Sequence, residues 1–130
     1  MQQAIGTPGE RFNPLGEFIE AGVPVTISSD APVADPRPLE AIQTSVTRKT
    51  RSGVQLGSDD LKIDVVEALR AHTINGARAM GREKDLGSLE PDKLADFVIL
   101  AADPLEAPEG DISSIEVVET WVNGVRVYAG

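Results

Sequence analysis

The chain has 130 residues, 41% hydrophobic and 25% charged, enough for one ordinary domain with a real core and too few for two large ones. Its net charge of −9, from 21 acidic against 12 basic residues, offers no basic footprint and argues against nucleic acid or an anionic membrane as the main partner. No apolar run reaches the roughly 18 residues that span a bilayer. The absence of cysteine removes disulfides, thiolate chemistry and cysteine zinc sites together, and fits a reducing cytoplasmic setting.

Residues 1 to 12 (MQQAIGTPGERF) are polar, Gly/Pro-punctuated and without a signal-peptide pattern, and 1–13 reads as a loose N-terminal arm. Asn13-Pro14 then reads as N-cap and first helical residue, with Leu15, Phe18 and Ile19 on one apolar face and Gly22 as the stop. Val23 to Ile27 form a short β-branched run, so a buried parallel strand is expected near 24–28. Asp35-Pro36 should open the next helix as N-cap and N1, with Leu39, Ile42 and Val46 facing the core. Arg48, Lys49 and Arg51 read as a solvated helix terminus rather than a phosphate site. After a loop over 52–60, Asp64 and Glu67 have capping-box spacing before "VVEALRAH". "TINGARAMG" follows, with Thr73 as a fresh N-cap and Gly81 as a stop.

The periodicity changes after Gly81. Pro91-Asp92 marks a turn leading into an apolar strand, Phe97 to Leu100. Two β-rich runs, near 115–122 and 125–128, flank Asn123-Gly124, the preferred pair for a two-residue type I′ hairpin turn. The reading is an α/β chain with helix–strand–helix–helix order over 14–81, a mainly β stretch over 86–129, and a boundary near 81–86.

Few residues are candidates for chemistry. Asp30 stands at the end of the expected strand, where α/β barrels place their working groups and where a carboxylate could bind a metal or take a proton from water. It could equally cap the turn at Ala31-Pro32, and pattern alone leaves both readings open. His72, the single histidine, has no second His, no Cys and no carboxylate partner nearby in sequence, and reads as a packed, hydrogen-bonded structural residue. Asp59 and Asp60 read as solvated acids in a loop. Asp96 reads as an acceptor for backbone donors at a strand start. No phosphate loop, nucleophile elbow or HExxH is present.

Five blocks stand in sequence: "AGVPVTISSDAPV", "DPRPLEAIQTSVTR", "EALRAHTINGARAMG", "GSLEPDKLADFVILAADPL" and "VVETWVNGVRVY". In this order and spacing they resemble the C-terminal end of metal-dependent amidohydrolases, specifically the amidohydrolase-3 group that includes N-substituted formamide deformylases. The resemblance runs from about residue 13 to the end, with two departures. Ser28 and Asp92 stand where relatives often carry glycine.

The resemblance implies that Val25 to Ser29 form the eighth strand of a TIM-like (β/α)8 barrel, with 14–85 its last strand and helices. Residues 86–130 would be part of a small β-sandwich. It implies that Asp30 binds the metal, zinc being the usual choice in such N/O sites, and shuttles the proton of the attacking water. The substrate implied is a small amide-like molecule whose non-peptide C–N bond is cleaved. The family's other metal ligands are not in this chain, and a barrel of this type needs about 250 residues. The expectation is therefore the C-terminal portion of an enzyme, inactive alone and self-associating into a homo-oligomer through open strand edges. The alternative is a free-standing, non-catalytic α+β module for binding or assembly.

Overall fold

The computed structural model describes residues 11–130; most of the arm expected over 1–13 lies outside them. Helix α1 (Leu15–Glu20) begins one residue later than the Asn13-Pro14 pattern predicts, with Pro14 at the cap and Asn13 left-handed at φ 49°. Its end follows the glycine signal. Gly22 (φ 74°) donates to Ile19 O at 2.9 Å and Val23 donates to Phe18 O at 2.8 Å, the paired bonds of a Schellman stop. Leu15 and Ile19 pack on the core, but Phe18 is exposed, contrary to the expected face. A helix of six residues turns only one i, i+4 pair inward, and position 18 falls beside it. At Gly16 an added Cβ would lie 2.8 Å from the carbonyl oxygens of both Asp60 and Lys62. Helix α1 thus rests directly on the backbone around the 3₁₀ turn Asp59–Leu61.

Helix α2 (Pro38–Thr47) starts two residues beyond the expected N1 at Pro36, at the second proline of Pro36-Arg37-Pro38. Asp35 does not cap it: its carboxylate accepts from Arg37 Nε at 2.7 Å instead. Pro38 supplies the fixed φ suited to a first turn, which makes it the stronger start signal of the two prolines. Ile42 and Val46 are buried as predicted. Helix α3 (Val65–His72) is launched by Asp64, whose Oδ1 accepts the Glu67 N–H at 2.7 Å. Helix α4 (Ile74–Ala79) follows at once; Thr73 holds the cap position, although its hydroxyl donates back to Leu69 O at 2.7 Å. Gly81 (φ 66°) ends α4 with a second Schellman pair, Gly81 N–H to Arg78 O and Arg82 N–H to Ala77 O.

The strand expected near 24–28 is not formed: residues 23–29 carry no regular secondary structure. A strand exists only with a ladder partner, and among the described residues none lies beside this segment. The strands present are β1 (Phe97–Leu100), β2 (Val117–Val122) and β3 (Val125–Ala129), an antiparallel sheet in that order. Asn123 (φ 50°) and Gly124 (φ 73°) join β2 to β3 in the predicted type I′ turn. Phe97 stacks on its cross-strand partner Trp121 with ring centroids 5.6 Å apart.

The stretch after Gly81 is less β-rich than expected, because its longest connection packs instead of pairing. Residues 101–116 include a 3₁₀ turn, Glu109–Ser114, that docks on α2. Ile112 is fully buried there with Ile42, Val46, Ile63 and Ala68, and Ser113 N–H donates to Gln43 Oε1 at 2.7 Å. Burial of an isoleucine of this kind stabilises by about 1.5–3 kcal/mol. Among the described residues no helix is long and apolar enough to cross a membrane.

Candidate functional site

The segment leading to Asp30 is held by side chains and by the α3–α4 junction rather than by a sheet. Asn75, nearly buried on α4, donates through Nδ2 to Val25 O at 3.0 Å, and Ile27 N–H donates to Ala71 O at 3.3 Å. These two clips fix the course of residues 25–27 along the helical layer. Asp30 follows at a tight turn. Its N–H donates to Ser28 Oγ at 3.0 Å and its carbonyl accepts from Val33 N–H at 2.8 Å, across a cis Ala31–Pro32 bond. The residue is left-handed (φ 55°) and exposed. Asp tolerates that conformation better than most side chains. The turn is therefore made by the Asp30 backbone, while its carboxylate has no ion pair among the described residues.

A cleft of about 450 Å³ opens beside the Ser28-Ser29 stretch, between it and α2. Its charged walls are already partnered. Arg37 binds Asp35 and Glu40, Arg51 binds Glu40 from the other side, and Arg48 is turned onto carbonyls. Contact with Asp35 raises the Arg37 pKa above its ordinary value.

Arg48 corrects the solvated-terminus reading. It is only 3% exposed and sits left-handed (φ 54°) at the C-cap of α2. Its Nε donates to Leu56 O at 2.9 Å, Nη1 to Asn13 O at 3.2 Å and Nη2 to Phe12 O at 2.6 Å. Burial pushes the guanidinium below its usual value, and three carbonyls replace the lost water. Residues 12 and 13 are consequently tied down rather than loose. A run of Arg48, Lys49 and Arg51 could not reveal which cation turns inward. The left-handed cap decides it, and nothing in the charge pattern marks it.

The remaining candidates fall elsewhere. His72 is packed, but its Nε2 is buried without a hydrogen-bond partner, so the expected bonded histidine is corrected. The packing encloses that nitrogen without offering it a donor or acceptor, and desolvation lowers its pKa. Asp59 pairs with Lys62 at 2.9 Å on the surface, and the neighbouring Asp60 carboxylate is held below its ordinary range first by the Ser58 hydroxyl. Asp96 does satisfy a backbone donor: Oδ1 accepts from Asn123 N–H at 2.6 Å, tying the hairpin turn to the start of β1. Lys93, missed in the sequence, donates to Glu83 O and Ser88 Oγ at 2.6 Å each and pairs with Glu90. It secures the loop in which Asp92 takes the left-handed φ of 70°. Among the described residues no group of three or more His, Cys, Asp or Glu side chains converges as a metal site.

The family profile described as "Amidohydrolase family" matches residues 2–128. The chain is 37% identical over 115 residues to N-substituted formamide deformylase of Arthrobacter pascens, covering 88% of this chain and 21% of that protein. It is 37% identical over 105 residues to imidazolonepropionase of Shouchella clausii, covering 76% of this chain and 22% of the relative. A solved amidohydrolase from Thermotoga maritima superposes with a TM-score of 0.61 at 24% identity, over 91% of this chain and 26% of the other, a likeness of fold alone. The chain thus spans about a fifth of the length of the relatives it matches.

Proposed function

The chain belongs to the amidohydrolase family, and from that premise we propose that it is the C-terminal portion of a metal-dependent hydrolase of non-peptide C–N bonds, amide or formamide in type. In this reading residues 14–85 contribute the last strand and helices of a TIM-like barrel, and 86–130 contribute part of a β-sandwich. Asp30 is the catalytic carboxylate, accepting the proton of the attacking water. What carries the reading is its placement: a carboxylate with no ion pair among the described residues, at an exposed turn within the residues 2–128 that the family match spans. The described residues do not by themselves fit a metal ion, since Asp30 is one ligand where a catalytic zinc takes three from protein. Metal binding by Asp30, with zinc as the ion, is therefore proposed for the longer polypeptide only.

The test is turnover of N-substituted formamides by the longer polypeptide that carries this sequence. Asp30→Asn should abolish it while leaving the far-ultraviolet circular dichroism unchanged, because the amide keeps the shape and cannot take the proton. A folded variant with near-normal turnover removes Asp30 from the mechanism. The 130-residue chain alone should neither hydrolyse these substrates nor bind zinc tightly. It should self-associate in light scattering, for among the described residues β3 is an open edge, with Val125, Val127 and Tyr128 all exposed.

A further inference from the structure

The turn that closes the β2–β3 hairpin carries a reactive dipeptide in a restrained state. In an Asn-Gly pair the backbone nitrogen of glycine can attack the side-chain carbonyl carbon of asparagine, because glycine has no Cβ to obstruct the approach. A bond forms from Gly124 N, which gives up its proton, to Asn123 Cγ. The Cγ–Nδ2 bond breaks and ammonia leaves, producing a five-membered succinimide. Water then opens the ring at either carbonyl to give aspartate or isoaspartate, with no oxidant or reductant involved. Asparagine is among the thermolabile residues for this reason.

Both backbone nitrogens of the pair are occupied here. Gly124 N–H, the prospective nucleophile, donates to Ala95 O at 3.0 Å. Asn123 N–H donates to the Asp96 carboxylate at 2.6 Å, a charge-assisted bond. The two acceptors are adjacent residues at the entry to β1, so one short segment holds the turn from outside the hairpin. Asn123 and Gly124 are both exposed, so solvent exclusion does not protect the site.

We infer that Asn123 is a latent deamidation site whose rate is set by release of the turn from Ala95 and Asp96. Reaction requires Gly124 N to leave Ala95 O and swing toward Asn123 Cγ, so it proceeds from a locally opened population. The product reinforces the opening. A new carboxylate stands beside Asp96, whose negative charge repels it, and isoaspartate lengthens the backbone by one carbon that a two-residue I′ turn cannot absorb. Deamidation is thus a one-way release of the hairpin from the start of β1, adding negative charge to a chain already at −9.

Peptide mapping by mass spectrometry during incubation at pH 7.4 tests this. The folded chain should modify Asn123 at least about tenfold more slowly than the free peptide TWVNGVRVY, since the turn must first be released from Ala95 O and the Asp96 carboxylate. Asp96→Ala should move the folded rate toward that of the peptide, and Asp96→Asn, which keeps an acceptor oxygen in place, should restore protection. Equal rates in folded chain and peptide overturn the inference, as does a folded Asp96→Ala chain that modifies at the wild-type rate. If Asp96→Ala does not fold, amide exchange in the wild type decides. Protection at Asn123 and Gly124 supports the restraint, and exchange at the unstructured rate refutes it.

Discussion

Replacing Arg48 with methionine keeps most of the buried stem and removes the guanidinium, which isolates what the three donated bonds contribute. Hydrogen bonds from charged groups are each worth about 1.5–3 kcal/mol. Two of the acceptors, Phe12 O and Asn13 O, belong to exposed residues and can be rehydrated, while Leu56 is half-buried. Counting one bond in full and the other two in part gives an expected loss of about 3 kcal/mol. Against a typical total of about 5–15 kcal/mol, that is a large fraction. Arg48→Lys should recover little of it, because a single ammonium cannot reach three carbonyls spread over a planar fork. Urea unfolding followed by circular dichroism supplies the comparison. An Arg48→Met chain within about 0.5 kcal/mol of wild type, the range of an ordinary surface change, would refute the reasoning.

Gly16→Ala should destabilise by about 1–3 kcal/mol, since its Cβ would press on the Asp60 and Lys62 carbonyls; an unchanged urea midpoint would show that α1 lifts off freely. The buried His72 has its pKa lowered in the folded chain by desolvation. The unfolded chain therefore binds the proton more readily, so stability is full above the unfolded value of about 6.5 and declines as pH falls below it. The urea midpoint should drop between pH 7.5 and 5.5 in wild type, and this drop should shrink in His72→Gln; an identical drop in both assigns it to other groups.

What could be read from the sequence was local. Asn123-Gly124, Gly22 and Gly81 each impose a left-handed backbone, a requirement one or two residues can announce by themselves. Asp64 was equally local, since it caps its helix from an extended backbone through its own carboxylate. The segment at 23–29 failed differently: its apolar pattern leaves Val25 and Ile27 half-buried and Val23 exposed, because strand structure depends on a neighbouring backbone and no described strand supplies one. Arg48 was invisible because its acceptors are main-chain carbonyls, which leave no side-chain signature, and Lys93 in part for the same reason, through Glu83 O. Asp30 was legible as a position, a residue at a turn after an apolar segment; its catalytic role is our proposal. That Asp30 joins no cluster of three or more His, Cys, Asp or Glu among the described residues is a property of three dimensions.

The connection from β1 to β2 carries a consequence for how the molecule comes apart. Because Ile112 is keyed into the cluster around Ile42 and Val46, and Gln43 grips the chain at Ser113, the loop works as a bolt seated in the helical layer. Cutting it near residues 101–108 would sever the covalent path while leaving the bolt seated. The hairpin and the helices should then stay associated until Ile112 withdraws, and both should melt in a single transition.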